Sequence, residues 1–213
     1  MKHPLLCSLL AMLYVSPLAA QAPQWWTDRS VINPQATAND FAPVNQGQLK
    51  HLATQAYREL QENLPGGGGA DLQRMTSAWS QASGNDFLPV NLGQLKNVAK
   101  PVYDRLIAVG FTTEYPWESS ANPPADFALA NIGQTKNLFS FDITFSSDSD
   151  PLPDWWRMHH FGTLDVSSAD PAPGDSTWTV GESYALGRDP NKASTNDVEE
   201  SVVALSVYTT LSD

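Results

Sequence analysis

Carboxylates at alternating positions are the first residues in this chain whose spacing suggests chemistry. Within Ser146-Ser147-Asp148-Ser149-Asp150-Pro151-Leu152-Pro153-Asp154, oxygen donors recur along a tight loop just ahead of a helix predicted over 153–161. Converging carboxylate and carbonyl oxygens are what a hard cation such as calcium requires. A second acidic cluster follows in Asp170-Pro171-Ala172-Pro173-Gly174-Asp175, before a second short helix containing Glu182 and Tyr184. Residues 142–213 hold 13 acids and 3 bases, against 10 and 8 in residues 21–141. The net charge of −11 is therefore a property of the last third. Such a balance argues against nucleic acid, whose phosphates need a basic face.

Other site chemistry is poorly represented. There is no G-x-S-x-G elbow and no H-E-x-x-H. His159 and His160, adjacent in one helix, point to different faces. A carboxylate pair of the glycosidase kind lacks a barrel-sized scaffold in 213 residues. The expectation is a non-catalytic protein without catalytic or cofactor-binding residues. Seven tryptophans, Trp25, Trp26, Trp79, Trp117, Trp155, Trp156 and Trp178, supply either core or sugar-stacking surface. In small helical modules the core reading leads, and glycan binding through Trp with Asn and Gln side chains is the alternative.

A repeat must position these residues. D-F-x-x-x-N-x-G-Q-x-K occurs from Asp40, from Asp86 and from Asp126, at offsets of 46 and 40. Asn45, Asn91 and Asn131 stand at N-cap positions, and Gln48, Gln94 and Gln134 follow at capping-box spacing. After the first cap, Leu49, Leu52, Ala53, Ala56, Tyr57 and Leu60 form one apolar helical stripe. Leu95, Val98, Ala99, Val102, Tyr103 and Leu106 repeat it, giving helices of three to four turns, with Pro101 expected to kink the second. Copy three replaces the leucine with Thr135 and drifts toward an extended segment near Ile143, as a terminal repeat with a short helix. Phe41, Phe87 and Phe127 are expected to staple the helix starts. The repeated Asn and Gln read as caps, and Lys50, Lys96 and Lys136 as a solvated face. A flexible break, Pro65 and Gly66 to Gly69, precedes a short helix at 71–79.

Met1-Lys2-His3, an apolar run over 5–15 and Ser16-Pro17-Leu18-Ala19-Ala20 have the layout of a secretory signal, with the cut expected after Ala20. The single Cys7 lies within it, so no disulfide is expected. No later run reaches ~20 apolar residues, so no transmembrane segment is expected.

The stretch 148–190 resembles the bacterial thrombospondin type 3-like calcium-binding repeat. That family reads D-x-D-x-D-G-L-P-D-W-W, then F-G, A-D-P-D-G-D-G and E-E-Y-x-x-G-T-D-P. Asp148, Asp150, Leu152, Pro153, Asp154, Trp155, Trp156, Phe161, Gly162, Ala169, Asp170, Pro171, Glu182, Tyr184, Gly187, Asp189 and Pro190 match it. The resemblance implies calcium held by Asp148, Asp150, Asp154, Asp170, Asp175, Glu182 and Asp189. Ser146, Pro151, Ala172-Pro173 and Ser183 depart from the pattern, and each loop lacks at least one of its ligands. The G-Q-L-K repeats look like a module found ahead of such repeats in secreted proteins of verrucomicrobial type.

The expected protein is mainly α. It comprises a signal peptide (1–20), a helical repeat region (21–143), an acidic thrombospondin type 3-like or EF-hand-like loop–helix module (144–197), and a C-terminal strand or start of a truncated domain (198–213). The expected role is an exported structural or adhesion-type module, stabilised by calcium, at the cell surface or secreted. Its partner is unknown, with an envelope or extracellular polysaccharide or protein as the class.

Overall fold

Each copy of the repeat starts a helix in the same way. In the computed structural model, which describes residues 22–32, 39–79, 83–117 and 123–193, Asn45 Oδ1 accepts from Gln48 N at 2.8 Å. Gln48 Oε1 in turn accepts from Asn45 N at 3.0 Å, and the same reciprocal pair recurs at Asn91/Gln94 and Asn131/Gln134. Two orphan donors are satisfied at each helix start. The elements run α1 Gln24–Asp28, α2 Gln46–Asn63, α3 Ala70–Trp79, α4 Leu92–Ala108, α5 Pro123–Asp126, α6 Ile132–Leu138 and α7 Asp154–Phe161. After them come the hairpin strands β1 Pro171–Ala172 and β2 Asp175–Thr179, then α8 Val180–Ala185. The fold is mainly α, with one small antiparallel sheet.

Helices α2 and α4 are longer than the stripe alone implies, at 18 and 17 residues, and α4 continues through Pro101. Their stripe residues Leu49, Leu52, Ala53, Ala56 and Leu60, then Leu95, Ala99, Val102 and Leu106, meet in one core. The signal segment at 1–20 and the strand expected at 198–213 lie outside the described residues.

The three copies close into a ring. Val90 N donates to Val44 O at 3.0 Å, Ala130 N to Val90 O at 2.9 Å, and Val44 N to Ala130 O at 3.1 Å, so each copy hydrogen-bonds the next and the third returns to the first. A second set of contacts accompanies it: Gly47 N donates to Asp86 O at 2.8 Å and Gly133 N to Asp40 O at 2.9 Å, while Gly93 faces Asp126 at the third junction. The repeated glycine is explained by that approach. A Cβ on Gly47 would stand 3.2 Å from Asp86 Cβ, and one on Gly133 would stand 3.1 Å from Asp40 Cβ. An ion pair completes each junction: Lys50 with Asp86, Lys96 with Asp126 and Lys136 with Asp40, at 2.6 to 2.7 Å. The lysines read as a solvated face are thus the cross-links of the ring.

The phenylalanine staple does not form. Phe41, Phe87 and Phe127 are 90%, 89% and 78% exposed. Tight turns at their position, closed by Ala42 N to Asn39 O, Leu88 N to Asn85 O and Ala128 N to Ala125 O, turn the rings outward. The staple position proper, directly before the N-cap, belongs to the buried Val44, Val90 and Ala130.

Copy three has a seven-residue helix, and α1 packs against the extended chain that follows it. Trp25 Nε1 donates to Phe141 O at 2.9 Å and Trp26 Nε1 to Phe139 O at 3.0 Å, fastening the extended chain after α6. Arg29 pairs with the buried Glu59 at 2.9 Å, tying α1 to α2. All seven tryptophans are buried or half-buried.

The acidic module sits at the opposite end of the helices from the ring. Tyr184 donates to Asn63 O at the end of α2 (3.2 Å), and Trp155 Nε1 to Ile143 O (2.8 Å). Gly110, beyond the end of α4 with φ +83°, faces His159 so closely that a Cβ there would overlap the imidazole. A second small core, Leu152, Trp156 and Val180, holds the module together.

Candidate functional site

The alternating carboxylates converge on a side chain. Arg157, in α7, is 1% exposed, and its guanidinium lies between the carboxylates that the sequence suggests as calcium ligands. Nη1 donates to Asp148 Oδ2 at 2.8 Å and Nη2 to Asp148 Oδ1 at 3.1 Å, a bidentate pair. Nη2 also donates to Asp154 Oδ1 at 2.7 Å, and Nη1 to Leu164 O at 2.9 Å. Ser146 Oγ lies 3.4 Å from Nη2 and 2.9 Å from both Asp148 Oδ1 and Asp150 O, one of which takes its single proton. Arg157 Nε is the one buried side-chain nitrogen or oxygen without a partner among the described residues. Asp148 is held well below the usual carboxylate range, chiefly by the hydrogen bond from Arg157. For Asp154, burial works the other way, but hydrogen bonds from Ser147 and Arg157 keep it low.

The remaining expected ligands have separate local duties. Asp150 Oδ2 accepts from Ser168 N at 2.9 Å and from the Ser167 and Ser168 hydroxyls, stitching the two acidic loops together. Asp170 Oδ2 accepts from Ser167 N at 2.8 Å, and Asp175 Oδ1 from Thr177 N at 3.0 Å. Glu182 Oε2 accepts from Thr179 N at 2.7 Å, closing the capping box of α8. Asp189 lies 3.5 Å from His160 Nδ1 and 3.8 Å from Lys192 Nζ. Among the described residues no three His, Cys, Asp or Glu side chains form a group able to hold a metal ion. Calcium needs six to eight oxygens, and here the first loop already encloses a cation belonging to the chain. A calcium ion does not fit that loop as arranged, because it would face Arg157 at close range.

The repeat's polar residues are likewise engaged, in caps and cross-copy pairs. That engagement predicts an acid response. Asp86 is pulled down to about 2, first by the Lys50 ammonium and then by Ser83 N–H. A carboxylate depressed in the folded state contributes stability that is fully present above its unfolded value near ~3.9 and lost as pH falls through the folded one. Melting temperature should therefore drop between about pH 4 and pH 2. An Asp86→Asn variant should melt lower at neutral pH and show a shallower drop, and parallel pH profiles would contradict this.

Two related clefts flank the ring. One, of about 230 Å³, lies between the start of α2 (Gln46, Lys50) and α4 (Gln94, Asn97), with Trp79 along its wall. The other, of about 140 Å³, uses the corresponding positions of α6 and α2, with Ile132, Lys136, Gln48 and His51. Trp79, the last residue of α3, lines the first cleft, whereas Val31 and Ile32 line the second. The tryptophan and the amides are each visible in the sequence, but their meeting depends on the packing of α3 against the junction of copies one and two.

No helix among the described residues is long and apolar enough to cross a membrane. No protein-family model, no curated protein and no solved structure matches this chain.

Proposed function

We propose that this chain is an exported, non-catalytic structural or adhesion-type module, a rigid helical ring with a small acidic module at its far end. The observation that carries this reading is the consumption of the repeat's Asn and Gln in helix caps and of its Asp, Gly and Lys in the junctions between copies. A motif used up in architecture builds a scaffold rather than a reaction centre. The signal-like first residues and the resemblance of 148–190 to thrombospondin type 3-like repeats support an extracellular setting. In this reading Arg157 takes over the cross-linking duty that calcium has in that family. Fractionation of producing cells, together with binding of the purified chain to envelope fragments, tests it. A chain confined to the cytosol and indifferent to envelope material would sink the proposal.

The cleft beside Trp79 supports a second reading, glycan binding. An indole wall with Gln46, Gln94 and Asn97 has the mixture of apolar face and amide donors that a sugar ring uses. Oligosaccharides that shift tryptophan emission in the native chain but not in Trp79→Ala would favour it. Silence across a glycan panel would set it aside.

A further inference from the structure

Every invariant position of the repeat has an architectural duty except one. Phe41, Phe87 and Phe127 recur in all three copies, yet their rings contribute nothing to the core, being 78% to 90% exposed. An exposed phenylalanine is unfavourable for solubility, and a turn tip tolerates almost any polar residue there. Its threefold recurrence therefore points to the surface itself. The closed backbone circle places the three rings at equivalent positions around one axis. Leu88 and Leu129, 50% and 57% exposed, and the exposed Pro43 and Pro89 fill in between them. The stretches leading into the three turns that lie outside the described residues, 33–38, 80–82 and 118–122, contain no large apolar side chain that could cover this face.

We infer that this apolar face is a self-association surface, whose occupant is the same face of a second copy of this chain. Area supports that choice. Three exposed Phe rings offer roughly 500 Å² and their leucine and proline neighbours bring the face to about 700 Å². Two copies face to face then bury about 1,400 Å², within the ordinary range for specific interfaces. Charge supports it as well. The aspartates at the rim of the face are each paired with a lysine of another copy, so the rim presents no uncompensated cluster. The acidic module, which holds eight acids and three bases over 144–193, docks at the other end of α2. An 18-residue helix separates the two ends by about 27 Å, several times the ~8 Å screening length at physiological salt. Two copies can thus meet at the near-neutral pole while their acidic modules point away. Symmetry fits too: a twofold axis in the plane of the face makes an isologous contact, closing at the dimer.

Sedimentation of the purified full chain across a wide concentration range tests the inference. The expected result is a monomer–dimer equilibrium insensitive to added salt, with each single Phe→Ser change weakening it at least ~10-fold. The triple Phe41→Ser, Phe87→Ser, Phe127→Ser variant should keep its helical circular dichroism and be monomeric throughout. A wild-type chain that remains monomeric at millimolar concentration, or a folded triple variant that dimerises equally well, overturns the inference. A crosslinker introduced as Phe87→benzoylphenylalanine reads the occupant directly. Capture of residues around Phe41, Phe87 or Phe127 of another copy supports self-association. Capture of the same chain's 198–213 segment, or flotation of monomers with neutral phosphatidylcholine vesicles, overturns it.

Discussion

Arg157→Ala is expected to destabilise the acidic module by about 3 kcal/mol and to make the loss recoverable with calcium. The guanidinium neutralises Asp148 and Asp154 together and also holds Leu164 O, so truncation leaves two neighbouring carboxylates without a counter-charge. The figure is set at the low end for breaking a buried pair because Asp148 is about half exposed and water can relieve it. In the native chain calcium or a chelator should leave the melting temperature unchanged. In the alanine variant millimolar calcium should raise it by several degrees, because space and negative charge become available in the same loop. Differential scanning calorimetry reads all four conditions. A native chain stabilised by calcium would show that metal, rather than Arg157, organises the loop.

This result bears on what a sequence can disclose about such a loop. Asp148, Asp150 and Asp154 were legible as converging oxygen donors because their spacing is local. What they converge on was not legible, since Arg157 lies one turn into the following helix, where an arginine ordinarily reads as solvated. The same contrast runs through the repeats. The caps at Asn45, Asn91 and Asn131 involve partners three residues away, so the pattern exposes them. Lys136 finds Asp40 across 96 residues, and periodicity within one helix carries no information about that pairing. The sequence places Phe41 inward, because an apolar residue ahead of a helix commonly staples it. Val44 holds that position instead, and the turn at 39–42 sends the ring outward. The hairpin of β1 and β2 leaves no sequence signal, because Pro171 and Pro173 disguise so short a strand pair.

Trp26→Ala should cost about 3 to 5 kcal/mol, the range for emptying a buried aromatic site. Its indole is buried against Trp25 in an edge-on pair with centroids 6.1 Å apart, and its Nε1 holds Phe139 O. Because α6 is short, Trp25 and Trp26 supply apolar volume that the third helix does not. Trp26→Phe keeps most of that volume and loses the hydrogen bond, so its cost should be nearer 1 to 2 kcal/mol. Urea denaturation of both variants separates the contributions. Equal losses would mean that the bond to Phe139 O, rather than filled volume, is what matters.

The circular arrangement also changes how this chain can come apart. Stacked repeats in an open array can fray from either end, one unit at a time, because a terminal unit has only one neighbour. Here copy one and copy three are neighbours, so there is no terminal unit to release. Removing any copy breaks two junctions at once and strands the glycine, aspartate and lysine partners on the other two. Secondary structure and tryptophan burial in the repeat region should consequently vanish in one coincident transition in denaturant. In folding, the closing junction between Asp40 and Lys136 must wait until the other two have brought their partners near, so the last step is the most non-local one.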